Sequence, residues 1–197
     1  FHELDHALEA CQLAPENILD MTPAGLKEAG VVHGISTKRL TGLMARNADL
    51  EETIKAWSKS GIWVLGERDK LYPARLRQRL TSARPPLLFG AGAIDCLDMG
   101  GVCIVGSRAS GEPALQFSAA LGKRSALEGL TVISNDMRGV DREAVTSALE
   151  GSGKAIIVLS DRLEKAVAAK RYRDSLANNQ LTMVTPFSPN AAFSVAN

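Results

Sequence analysis

The chain has 197 residues, with 23 Lys and Arg against 22 Asp and Glu, a net charge of +1 and three cysteines. Its apolar fraction of 45% and charged fraction of 23% exclude a disordered polar chain, and the odd cysteines (Cys11, Cys96, Cys103) without a C-x-x-C pair exclude a disulfide frame or zinc ribbon. No apolar run approaches the roughly 18 residues of a membrane helix and no charged-then-apolar leader is seen, so the expected compartment is the cytoplasm, with no membrane partner.

The first stretch reads as all helical. Thr22-Pro23 sets a cap and a first-turn proline, with Gly30 as the stop. Ser36 is expected to cap a run from Thr37 to Arg46, and Asp49 with Glu52 makes a capping-box start for a helix reaching Lys59. Residues 1–58 therefore form a helical module of the helix-hairpin-helix or sterile-alpha-motif sort, and residues 59–197 a separate α/β domain. All three histidines (His2, His6, His33) fall in the helical module. His2 and His6 have an i, i+4 metal spacing but no third ligand, so no metal is expected. The α/β domain has no histidine for conventional acid–base or triad chemistry.

Beyond Gly61, short apolar runs alternate with helical stretches. The expected strands are Ile62–Leu65, Leu87–Phe89, Val102–Val105, Thr131–Ser134, Ala155–Leu159 and Thr182–Val184. Helix-length connections join the last four, which implies a Rossmann-like, mostly parallel sheet covered by helices. Such sheets bind ligands at the carboxyl ends of their strands, so the turns Gly106–Arg108, Ser134–Asp141 and Ser160–Asp161 should meet on one edge. The first is the most informative. An apolar run, read as a buried strand, stops in Gly106-Ser107-Arg108 before a helix from Glu112 to Glu128, a geometry that points amides at a phosphate. Arg108 adds a bidentate donor, and Arg138 follows the next strand closely enough to reach the same edge. The bland alternative pairs these arginines with Asp136, Asp141 or Asp161. Asp141 is expected to cap the next helix, and Asp161 is the one candidate catalytic carboxylate. Neither a dinucleotide fingerprint nor a P-loop is present, so no nucleotide cofactor is encoded.

Two basic clusters interrupt the neutral composition. One runs through Arg68, Lys70, Arg75, Arg77, Arg79 and Arg84; the other through Arg162, Lys165, Lys170, Arg171 and Arg173. The second reads as a solvated helix face. Trp57, Trp63, Tyr72 and Tyr172 are the candidate stacking aromatics, with Trp63 and Tyr72 assigned to the core.

The blocks Asp69-Lys-Leu-Tyr-Pro-Ala-Arg-Leu, Arg84-Pro-Pro-Leu-Leu-Phe, Val105-Gly-Ser-Arg108 and Ser134-Asn-Asp-Met-Arg-Gly-Val-Asp141 follow one another as in the DNA-processing protein A family, which the chain resembles over about residues 60 to 190. The resemblance implies a bacterial single-stranded-DNA-binding protein that does not cut its ligand. It also implies a RecA-type recombinase or a genome-defence protein as partner, a role in recombination or natural transformation, and a homodimer. Carried over by motif, the contacts are Ser107 and Arg108, then Ser134, Arg138 and Gly139, with Gly106 and Asn135 completing the two turns. No residue is expected to be catalytic. The α/β domain is also expected to be incomplete at its carboxyl end. The chain departs from the family at Ser134-Asn-Asp-Met137, at Val145 and at Gly153-Lys-Ala155. A nucleotide-binding sensor or nucleotide-processing enzyme on the same fold is the alternative, although the Pro-Gly-Gly-x-Gly-Thr block of the hydrolytic relatives is absent. A third reading is an interaction subunit with decayed binding loops. Asp136 is the awkward residue: facing a phosphate about 4 Å away it would cost roughly 4 kcal/mol, unless it turns outward or pairs with Arg138.

Overall fold

The computed structural model describes residues 2–18, 21–31 and 37–192. The chain divides into two compact units, residues 1–56 and 57–197.

In the first unit, α1 (His2–Ala10), α2 (Pro23–Glu28) and α3 (Thr37–Met44) precede α4 (Asn47–Lys59), inside which the division falls. Leu8, Ile18, Leu26 and Val31 form a small core. The Thr22 hydroxyl accepts from the Gly25 amide at 3.2 Å and Gly30 takes φ 76, so the cap and stop of α2 stand as the sequence implies. α4 begins two residues before the expected capping box, placing Asp49 in the first turn instead of at the cap. Ser36 and His33 lie outside the described residues.

The second unit contains β1 (Ile62–Gly66), α5 (Ala74–Leu80), β2 (Leu87–Ala91), α6 (Cys96–Met99), β3 (Val102–Cys103) and α7 (Glu112–Leu127). They are followed by β4 (Val132–Ser134), α8 (Val140–Glu150), β5 (Ala155–Val158), α9 (Leu163–Val167), α10 (Arg173–Ala177) and β6 (Leu181–Thr185). The six-stranded sheet has the order β1-β2-β6-β5-β4-β3. The last four strands in that order run parallel, and β2 is antiparallel to both β1 and β6. The carboxyl ends of β1, β3, β4, β5 and β6 therefore share one edge. Period-2 alternation divides the inward residues between two cores. Ile157, Met183, Leu181 and Val132 meet Ala144, Ala148, Leu163 and Tyr172; Leu65, Leu88, Ile156 and Val184 meet Tyr72 and Cys96. Gly122 allows α7 to approach α8, since a Cβ there would come within 2.4 Å of the Ala144 carbonyl.

The expected buried strand at Val102–Val105 needs correction. β3 is two residues long and is the outermost strand, bonded on one side through Val102 N to Thr131 O and Ile104 N to Ile133 O. Val105 is 64% exposed. An apolar run reads the same at the centre and at the edge of a sheet, and only pairing distinguishes them.

Candidate functional site

The turns after β3 and β4 are locked together. Gly139 sits at φ 97, and a Cβ on it would lie 2.5 Å from the Ser107 carbonyl oxygen and 3.1 Å from the Arg108 Cα. Only glycine meets both demands, a left-handed backbone and no side chain. On the reverse side, a Cβ on Gly106 would lie 2.8 Å from the Val140 side chain. The two predicted phosphate turns thus form one double loop.

Within it the sequence-predicted residues divide by role. Gly106, Arg108 and Asn135 line an open cleft of about 770 Å³, which Asp136, Met137, Leu159, Asp161, Arg162, Lys165 and Phe187 also line. Ser107 and Gly139 are the joint between the loops. The Ser107 hydroxyl accepts from the Ala109 amide at 3.1 Å, and the Asn135 side chain accepts from the Met137 amide at 2.9 Å, each shaping its own turn. Ser134 is placed beneath the surface: it is 3% exposed and its hydroxyl donates to the Ile104 carbonyl at 2.5 Å. That bond ties β4 to the end of β3. Arg138 is exposed but is not among the residues that line the cleft.

Asp141 does not cap α8, whose N-cap is Gly139. Its carboxylate, 2% exposed, instead accepts the Gly106 amide at 2.7 Å. One of the amides expected to face a phosphate is therefore already used. The amides of Ser107 and Arg108 have no partner among the described residues.

Asp136 neither turns outward nor pairs with Arg138. Its carboxylate accepts from Arg142 Nε at 3.3 Å, from the Tyr172 hydroxyl at 2.6 Å and from the Arg171 guanidinium. Its own carbonyl accepts from Arg142 at 2.9 Å. The Arg171 guanidinium lies 4.7 Å from the Tyr172 ring centre. Burial first, and then the bond to Asp136, push the Tyr172 phenol up to about 12. Tyr172 is thus a core residue and offers no stacking surface.

The third turn brings in residues that the sequence reading assigned to a solvated helix face. Arg162 takes a left-handed backbone, φ 47, at the N-cap of α9, and its amide donates to the Ala191 carbonyl at 2.8 Å. The Glu164 amide donates to Pro189 O, so the segment after β6 is pinned to the start of α9. The Glu164 carboxylate accepts the Trp57 indole N–H at 2.7 Å. Arg162 and Lys165 were missed because a basic run names no direction, and the only hint was their position just after a predicted strand. Phe187, half buried beside the cleft, lay past the last predicted strand.

The side chains of Arg108, Arg138, Arg162 and Lys165 have no hydrogen-bond or ion-pair partner among the described residues. In the first basic cluster Arg84 pairs with Glu67 at 2.7 Å and Arg77 donates to the Glu67 and Asp69 carbonyls, whereas the side chains of Lys70, Arg75 and Arg79 have no partner among the described residues. The near-neutral total also conceals an asymmetry. Residues 1–56 hold five Lys and Arg against nine Asp and Glu, whereas residues 57–197 hold eighteen against thirteen.

A model of the DNA recombination-mediator protein A family matches residues 63–197. The DNA processing protein DprA of Streptococcus pneumoniae (strain ATCC BAA-255 / R6) is 31% identical over 121 residues, which cover 58% of this chain and 40% of that protein. The X-ray structure of DNA processing protein A from Streptococcus pneumoniae superposes with a TM-score of 0.65 at 19% identity, covering 96% of this chain and 64% of that one. DNA processing protein A from Helicobacter pylori, described for its unique single-stranded DNA binding mode, superposes with a TM-score of 0.50 at 20% identity, covering 68% of this chain and 58% of that one. The chain thus spans between two fifths and two thirds of the length of these relatives.

Proposed function

The chain belongs to the DNA recombination-mediator protein A family, and from that premise we propose that its α/β unit binds single-stranded DNA, without cutting it, along the carboxyl edge of the sheet. The observation that carries this reading is a set of cations without partners among the described residues: Arg108 and Arg138 on the loops that leave β3 and β4, and Arg162 and Lys165 at the N-cap and in the first turn of α9, after β5. Guanidinium groups next to free amides suit the phosphates of an extended strand. Arg108, with the Ser107 and Arg108 amides, takes one phosphate; Arg162 and Lys165 take the next across the cleft. Gly106, Asn135 and Gly139 shape the double loop, and Ser134 supports it from below.

The absence of chemistry belongs to the same reading. Asp136 and Asp141 are committed to protein donors and the unit has no histidine to serve as base, which leaves Asp161 in the cleft lining as the carboxylate to test. Turnover of labelled DNA or nucleotides that is lost in Asp161→Ala would overturn this part of the reading. A RecA-type recombinase or genome-defence protein as partner, and a homodimer in the cytoplasm, complete the proposal on the strength of the family resemblance alone.

A nucleotide-binding sensor is the second reading. It is favoured by the size of the cleft, about 770 Å³, and by the apolar side chains of Met137, Leu159 and Phe187 beside its cations. Titration with single strands, duplexes and mononucleotides at two salt concentrations separates the two. The first reading expects preference for single strands, with log K falling against log salt at a slope of about −1.4, near 0.7 for each of the two phosphates held. Preference for mononucleotides with a shallow slope would favour the sensor, and equal preference for duplexes would overturn the first reading.

A further inference from the structure

The Asp136 cluster joins the two walls of the cleft. Asp136 stands on the turn after β4, whereas Arg171 and Tyr172 stand on the segment between α9 and α10, which also carries the lining residue Ala169. Both carboxylate oxygens are engaged, Oδ1 by Tyr172 and Arg142 and Oδ2 by Arg171. The Asp136 side chain is 13% exposed, against 49% for Arg171 and 39% for Arg142. The carboxylate is therefore the buried hub, with the buried Tyr172 hydroxyl beside it and the two arginines as solvated spokes. A carboxylate placed this way does not oppose a phosphate; it satisfies guanidinium groups that would otherwise swing freely.

We propose that Asp136 is a positioning residue for DNA binding: its bonds to Arg171 and Tyr172 clamp the second turn, which its bond to Arg142 holds to α8, against the α9 side of the cleft and so fix the spacing between Arg108 and the Arg162–Lys165 pair. This rests on the single-strand reading above. The clamp predicts a sign opposite to that of bulk electrostatics. Removing a negative charge from a phosphate-binding edge should tighten binding by simple Coulomb attraction, whereas releasing a clamp should weaken it. Arg142 and Arg171, freed from their carboxylate, gain mobile positive charge but lose the fixed geometry on which paired phosphate contacts depend.

The experiment compares wild type, Asp136→Asn, Tyr172→Phe and Arg108→Ala, using a fluorescent oligothymidylate at low salt, with circular dichroism to verify folding. Asp136→Asn is expected to bind about fivefold more weakly. Tyr172→Phe, which alters no charge at neutral pH, should lose about twofold, and the double variant should be no worse than Asp136→Asn. Alkaline titration of the phenol absorbance supplies a readout independent of DNA. The chain has two tyrosines, both raised, Tyr72 by burial and then Glu67. In Asp136→Asn the Tyr172 titration should move down from about 12 while that of Tyr72 stays put. Equal or tighter DNA binding by a folded Asp136→Asn, with Arg108→Ala still weakened, overturns the clamp and leaves the single-strand reading intact. An unshifted phenol titration also overturns it. Absence of single-strand binding by the wild type overturns the reading itself.

Discussion

The turn after β3 and the turn after β4 leave adjacent parallel strands and touch through Gly139, yet they handle charge in opposite ways. In the first, Arg108 stands in solvent without a partner among the described residues, and the buried Asp141 carboxylate spends itself on the Gly106 amide. In the second, the turn supplies its own anion, and Asp136 gathers two guanidinium groups and a phenol around itself. A cation left unpaired on a loop is available to a ligand. A cation bound to an internal carboxylate has become part of the scaffold. Net charge does not record the difference: the turn after β3 contributes Arg108 and no carboxylate of its own, and the Asp141 that meets it comes from α8.

The comparison breaks most severely if the joint between the turns is removed. Gly139→Ala combines left-handed strain with a 2.5 Å approach to the Ser107 carbonyl, and should cost about 3 kcal/mol. For a chain of this size that is a fall of roughly 6–12 °C in Tm, measured by thermal unfolding; an unchanged Tm would mean that the turns are not in contact. The next effect tests the second turn alone. The folded state holds the Tyr172 phenol neutral up to about 12, against an ordinary value of 10.0. The associated stability is complete below pH 10 and is lost as pH rises from 10 to 12, amounting to about 2–3 kcal/mol. Denaturant titrations across that window should show the decline, and Tyr172→Phe should reduce it. The smallest effect sharpens the contrast between two exposed arginines. Arg108→Ala should weaken single-strand binding about tenfold and flatten the salt slope by about 0.7. Arg138→Ala, outside the cleft lining, should weaken it about threefold. Equal losses would mean that the second turn is as open to phosphate as the first.

Much of this architecture was legible because its signals are local. Thr22-Pro23 and Gly30 bound α2, and the β-branched runs of β4, β5 and β6 alternate with helix-length connections, so the parallel arrangement follows from chain length between strands. The edge position of β3 was not legible, since nothing in Val102–Val105 records what pairs beyond it. In the site, Gly106, Arg108 and Gly139 could be named because glycine and arginine after a strand have few other uses. The commitment of Asp136 to Arg171 and Tyr172 depends on residues some 35 positions away, and the use of Asp141 by Gly106 spans the same separation. Such pairings come from packing and have no sequence period. Ser134 shows the opposite error: a residue type suited to phosphate, in the expected place, turned inward by a carbonyl that only the fold supplies.

The fit of Gly139 against Ser107 and Arg108 also constrains what evolution can do with these loops. Two surface loops ordinarily drift in length independently, each absorbing insertions at its tip. Here the backbones are in van der Waals register, so one residue added to either loop would slide a side chain into the gap that glycine leaves open. The lengths of the two loops must change together or not at all. Diversity at this edge is confined to the side chains that the double loop presents, with its outline held constant.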